Sequence, residues 1–84
     1  MPKIIDLINM GPKTEIWLHE IGIETEADLR ERGVIQAYIE LKARNPHTIN
    51  LMMLWAMQGA LMGINCLHLP DEIKQSLKDE LNQA

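Results

Sequence analysis

Eighty-four residues with 46% hydrophobic and 24% charged side chains make one globular domain, so each element must give a face to one small core. The formal net charge of −4 works against non-specific nucleic-acid affinity, which comes mainly from Lys and Arg neutralising phosphates. A single cysteine, Cys66, rules out an internal disulfide and fits a reducing cytoplasm.

The first expected element is a short helix from about Lys3 to Ile8, whose Ile4, Ile5, Leu7 and Ile8 must dock on the body. A second runs from about Pro12 to Ile21. Proline suits the first helical turn, because its missing N–H would have no intrahelical partner there and its φ is already helical. Gly11 before it permits a positive φ or a close approach. The N–H groups of residues 13 to 15 are then free to face an anion, with Lys13 and Thr14 beside it. Trp17, Leu18 and Ile21 form the buried side of this helix, Trp17 as a core anchor. Gly22 is read as the left-handed residue after the helix and Ile23 as the apolar residue that packs back. Thr25 with Asp28 three residues on has capping-box spacing. Two helices meeting at a glycine corner follow the grammar of a helix-hairpin-helix unit, which touches nucleic-acid backbone through main-chain N–H groups. A purely structural corner is the competing reading.

The third helix, about Glu26 to Arg32, ends at Gly33. The fourth follows with Val34, Ile35, Ala37, Tyr38 and Leu41 on one apolar face, and stops at Asn45-Pro46 because a residue before proline is pushed out of helical geometry. Thr48 is the expected cap of the fifth helix, about Ile49 to Met62. That helix is apolar nearly all round and should be the central element; its methionines are read as core filling, with a soft partner-gripping surface as the alternative. Gly59 and Gly63, four apart, would let a neighbouring helix approach closely. The last helix opens at Pro70, carries Asp71 and Glu72 near its positive end, places Ile73, Leu77 and Leu81 on one stripe, and frays from Asn82 to Ala84. Period-2 alternation is absent throughout, so the expected fold is all-α: a compact bundle of five or six helices in one domain, residues 1–84.

No secretory signal is visible, because Lys3 is followed by Ile4, Ile5, Asp6 and Leu7 rather than a sustained apolar run. The apolar stretch from Ile49 to Ile64 is interrupted by Asn50, Gln58, Gly59 and Gly63 and falls short of the roughly 20 residues a bilayer span needs, so no membrane association is expected. Catalytic sets are thin. His19-Glu20 begins a zinc-protease helix motif, but position 23 is Ile rather than the second His. Cys66 and His68 are two metal ligands without a third, and Gly11-Pro12-Lys13-Thr14 lacks the upstream glycine of a phosphate-binding loop. The expectation is a non-enzyme with no cofactor, no metal and no small-molecule substrate. Charge is distributed unevenly: only acids lie between Ile23 and Asp28, whereas Arg30, Arg32, Lys42 and Arg44 outnumber Glu31 and Glu40 between Leu29 and Pro46. A local basic face is one reading and ordinary solvated charge on two helix faces the other.

Taken together, Asn9-Met-Gly-Pro-Lys-Thr, Trp17-Leu18, Ile21-Gly-Ile, Ala37-Tyr38, Leu41-Lys42-Ala43, Leu54-Trp55-Ala56, Gly59-Ala60-Leu61 and Leu69-Pro70 resemble the C-terminal domain of the TfoX/Sxy competence regulators over nearly the whole chain. The resemblance implies a helix-hairpin-helix or SAM-like helical domain. In longer relatives such a domain is associated with switching on DNA-uptake genes alongside a cyclic-AMP-responsive activator. By the hairpin analogy Gly11, Lys13 and Thr14 would face phosphate weakly, assisted by Arg30, Arg32, Lys42 and Arg44, with Asn9 where many DNA-binding hairpins have another glycine. The alternative role is a protein-interaction domain that docks on a transcription-regulatory protein or on a second copy of itself.

Overall fold

A string of local stop and start signals divides the chain into helices. The computed structural model, which describes residues 3–83, contains a 3-10 turn at Ile4–Asp6, helices α1 (Pro12–Glu20), α2 (Glu26–Arg32), α3 (Val34–Arg44) and α4 (Leu51–Met62), a second 3-10 turn at Cys66–His68, and α5 (Asp71–Gln83). The architecture is all-helical with five α-helices. Among the described residues the nearest thing to a sheet is one isolated antiparallel bridge, between Lys3 and Thr25.

The α1–α2 corner is built as its residues require. Gly22 has φ +84, the Ile23 N–H reaches back to the Leu18 carbonyl at 2.9 Å, and the Gly22 N–H reaches the His19 carbonyl at 3.0 Å. This double closure satisfies two carbonyls that the end of α1 would otherwise leave open, and Ile23 is buried behind it. Thr25 then caps α2: its hydroxyl accepts from the Asp28 N–H, and the Asp28 carboxylate accepts from the backbone N–H groups of Thr25 and Glu24.

Those bonds hold the Asp28 carboxyl below its ordinary value of 3.8. The Glu24 N–H contributes most; burial opposes it, and Thr25 and the charge of Arg32 reinforce it. A carboxyl depressed in the folded state stabilises above its unfolded pKa, and that contribution disappears as pH falls through the folded value. Asp28→Asn should therefore flatten the decline of the thermal unfolding midpoint between roughly pH 5 and pH 2. Parallel melts of the two proteins across that interval measure it, and superimposable curves would remove Asp28 from the acid response.

Three boundaries differ from the sequence expectation. The first element is a single 3-10 turn rather than a helix to Ile8, because the chain leaves it extended at Leu7 and reverses at Asn9, φ +72. Ile4 still anchors it, fully buried. At α4 the cap is Asn50, whose side chain accepts from the Met52 N–H, rather than Thr48. Thr48 lies in a turn closed on the Asn45 carbonyl, and Ile49 is buried just ahead of the cap, the position of a hydrophobic staple. α5 continues to Gln83, so Asn82 and Gln83 remain helical; Ala84 lies outside the described residues.

The core gathers Ile4, Leu18, Ile23, Leu29, Leu41, Ile49, Leu54 and Met57, all fully buried. α4 is the most apolar helix, burying Met53, Leu54, Trp55, Met57, Gly59 and Ala60, but Leu51, Met52 and Met62 at its two ends stay exposed. The hub is α3, which packs on α1, α2, α4 and α5 through Val34, Ala37, Tyr38 and Leu41.

Gly59 makes room for a side chain from a loop, not for the helix its spacing suggested. The Asn9 amide inserts there, donating to the Ile64 carbonyl at 2.9 Å and the Ala56 carbonyl at 3.4 Å while its oxygen accepts from the Cys66 N–H at 3.1 Å. A Cβ on Gly59 would fall 2.7 Å from Asn9 Nδ2 and 2.8 Å from the Ile64 oxygen. Gly63 has a separate task as the left-handed residue ending α4, with the Ile64 N–H closing on the Gly59 carbonyl at 2.9 Å.

Candidate binding surfaces

The start of α1 has the open donors its sequence promised, in a different backbone state. Gly11 is the N-cap with φ −109 and ψ 178, extended rather than left-handed, so no strain demands glycine there. A Cβ at Gly11 would meet nothing within 4 Å, and no side chain caps the helix. The Glu15 N–H is already spent on the Gly11 carbonyl at 3.0 Å, which leaves Lys13 and Thr14 as the first-turn donors. Lys13 itself lies over the Trp17 ring, its Nζ 5.2 Å from the centroid.

Asn9 takes no part in that opening. Its positive φ is what the glycine analogy anticipates, but its side chain points into the body as the tie between the loop before α1 and the turn after α4. Nothing local in the sequence indicated this, since its partners lie 47 to 57 positions away.

The four cations of the candidate basic face are each committed within the fold. Arg30 pairs with Glu26 at 2.7 Å and donates to the Leu61 carbonyl at 2.8 Å. Arg32 pairs with Glu40 at 2.6 Å and donates to the Ile21 carbonyl at 2.9 Å, so it closes the end of α1. Lys42 donates to the carbonyls of Pro46 at 2.8 Å and Ile49 at 2.6 Å, holding the loop before α4. Arg44 pairs with Glu20 at 3.0 Å, joining α3 to α1. Helix ends and loops thus receive cations where their carbonyls are open, which is the favourable sign for a helix C-terminus.

Two concave surfaces stand out among the described residues. One, of about 460 Å³, lies between the start of α3 and α5, lined by Val34, Ile35, Gln58, Ile73 and Leu77 together with Arg32 and Glu80. The other, of about 500 Å³, lies on the outer side of α1 around Ile16, which is 58% exposed. Lys74 and Lys78 stand over the face of Trp55, 5.9 and 6.0 Å from its centroid. Among the described residues no group of three or more His, Cys, Asp or Glu is placed to hold a metal ion, and no helix is long and apolar enough to cross a membrane. Cys66 is half-buried in the turn that Asn9 ties down.

Residues 1–81 match the family described as the TfoX C-terminal domain. Two solved structures from Listeria monocytogenes share the fold. One, described as an uncharacterized protein in a triclinic form, is 26% identical with a TM-score of 0.84, over 96% of this chain and 91% of that one. The other, described as a protein of unknown function in a tetragonal form, is 29% identical with a TM-score of 0.78, over 94% and 95%. No curated protein matches.

Proposed function

The chain belongs to the TfoX C-terminal domain family, and from that premise we propose a non-catalytic module of competence-type gene regulation that works by docking on another protein. The helix-hairpin-helix or SAM-like character of its α1–α2 corner is part of this reading. The observation that carries it is the commitment of Arg30, Arg32, Lys42 and Arg44 to carboxylates and carbonyls of their own chain. Part-exposed ion pairs of this kind contribute only about 0.2–1 kcal/mol each, but all four side chains would have to leave their contacts together to form a phosphate-facing set. The formal charge of −4 adds a repulsion. Exposed apolar side chains at Ile8, Ile16, Met62 and Leu67 give a protein partner something to cover.

DNA-backbone contact is the second reading. It is favoured by one feature, the uncapped start of α1, where Gly11 has open space and Lys13 and Thr14 present first-turn N–H groups.

Backbone amide shifts separate the two when the labelled domain is titrated with a short DNA duplex at low salt. Protein docking predicts no saturable shifts at residues 11 to 15 and no difference between the native chain and Lys13→Glu. Saturable shifts there that shrink with salt and vanish in Lys13→Glu would instead establish the corner as a phosphate site. Capture of a partner from lysate that survives nuclease treatment supports docking, and capture abolished by nuclease counts against it.

A further inference from the structure

The two concave surfaces differ in charge, and the difference selects an occupant for one of them. The α3–α5 groove has one acid and one base in its lining, Glu80 and Arg32, and Arg32 is already held by Glu40, so that surface expresses little preference of sign. The surface on the outer side of α1 is lined by the exposed Ile16 and the buried Ile23. Glu15, Glu20 and Glu24 stand round it against one cation, Lys3. Glu20 is shared with Arg44, and Glu24 lies 2.9 Å from His19 Nδ1, but the Glu15 carboxylate makes no ion pair or hydrogen bond among the described residues. The sequence places an apolar residue here against its own helix pattern. α1 buries Leu18 on its inner side, yet Ile16 faces outward, 58% exposed.

We infer that this patch binds a short basic peptide segment of a partner protein, with one apolar side chain of that segment covering Ile16 and its Arg or Lys residues meeting Glu15, the unpaired carboxylate, in the negative field that Glu20 and Glu24 add. The inference rests on the protein-docking reading above and names the surface and the chemistry of its partner. An apolar centre within a charged rim is the arrangement in which truncating the central contact costs most and the rim sets orientation and association rate. Nucleic acid is the wrong sign for such a rim. A second copy of this chain would have to bring Lys13, Lys74 or Lys78 off the indole faces they cover, since Arg30, Arg32, Lys42 and Arg44 are engaged internally, and it is one outcome of the test below.

The test uses three synthetic peptides on the labelled chain: Gly-Arg-Arg-Leu-Arg-Arg-Gly, the same peptide with Ser for Leu, and the same peptide with Glu for every Arg. The first should give saturable amide shifts at Ile16, His19, Ile23 and Thr25. Both replacements should bind at least about tenfold more weakly. Ile16→Ser and Glu15→Lys, changes at an exposed and an unpaired position, should each weaken the first peptide by a similar factor with the rest of the spectrum unchanged. Shifts centred on Val34, Gln58 and Ile73, or equal binding of all three peptides, would overturn the assignment of this patch and leave a docking function standing. No saturable shift with the first peptide also overturns it, as does a concentration-dependent dimer whose interface is this face. Failure of the docking reading itself has another signature: nuclease-sensitive capture together with DNA shifts at residues 11 to 15.

Discussion

Replacing Asn9 with Ala is expected to lower the unfolding free energy by about 3 kcal/mol, a large part of the 5–15 kcal/mol typical of a small domain. The change strips partners from the Ile64 carbonyl and the Cys66 N–H, both half-buried, and an unpaired buried group costs about 1–3 kcal/mol. It also puts a residue with a Cβ and no polar side chain at φ +72, which adds roughly 1 kcal/mol. Asn9→Gly separates the contributions, because it removes the same hydrogen bonds while tolerating the backbone angle. Urea denaturation of the three proteins should therefore rank native above Asn9→Gly above Asn9→Ala. Equal midpoints for native and Asn9→Gly would show that the side-chain tie contributes nothing. Gly59→Ala attacks the same knot from the other side, and its Cβ would meet a backbone oxygen as well as the Asn9 amide, so the residues around it cannot simply turn away.

Trp55→Ala should cost about 3–5 kcal/mol, the range for truncating a buried aromatic, because the ring is a member of the core at 7% exposure. Trp17→Ala should cost distinctly less, since Trp17 is only half-buried at the margin of the core. Lys74 and Lys78 over the Trp55 face add about 0.5–1 kcal/mol each as exposed cation–π contacts, so neutralising both by Gln should produce a smaller loss than the ring itself. Denaturation followed by far-UV circular dichroism ranks the variants without relying on tryptophan emission. A Trp55→Ala midpoint indistinguishable from that of Trp17→Ala would mean that the Trp55 ring is not the core anchor its burial indicates.

Both predictions concern residues whose types were plain in the sequence and whose roles were not equally so. Trp55 sits in a run from Leu51 to Met57 that is apolar on every side, and such a helix must be buried whatever surrounds it. Asn9 is a polar residue before a Gly-Pro pair, and its local context suggests only a turn. The basic residues illustrate the same limit. Arg30 and Arg32 lie in the last turn of α2, where a cation is favourable for electrostatic reasons visible in the sequence. Yet Arg30 reaches the end of α4 and Arg32 the end of α1, and only folding brings those carbonyls within reach. Counting cations between Leu29 and Pro46 therefore measured how many were present, not how many were free.

The candidate surfaces divide in the same way. The opening at Gly11 was legible because a proline at the first turn and an uncapped glycine before it leave the same donors open in any helix. The acid-rimmed patch around Ile16 was not, since its rim comes from Lys3, α1 and the α1–α2 corner together.

By itself the sequence determined the all-helical class, the limits of α2 and α3, the start of α1, the left-handed turn at Gly22 and the Thr25–Asp28 capping box. Each of these is decided by backbone geometry and hydrogen bonds among residues three to five apart. The tertiary structure alone decided the destination of the Asn9 side chain, the shortening of the first helix to one turn, α3 as the hub, and the pairing of every cation once assigned to a basic face. Those outcomes depend on which distant carbonyls and carboxylates packing brings within 3 Å or so, and long flexible or amide side chains follow the partner that is buried beside them.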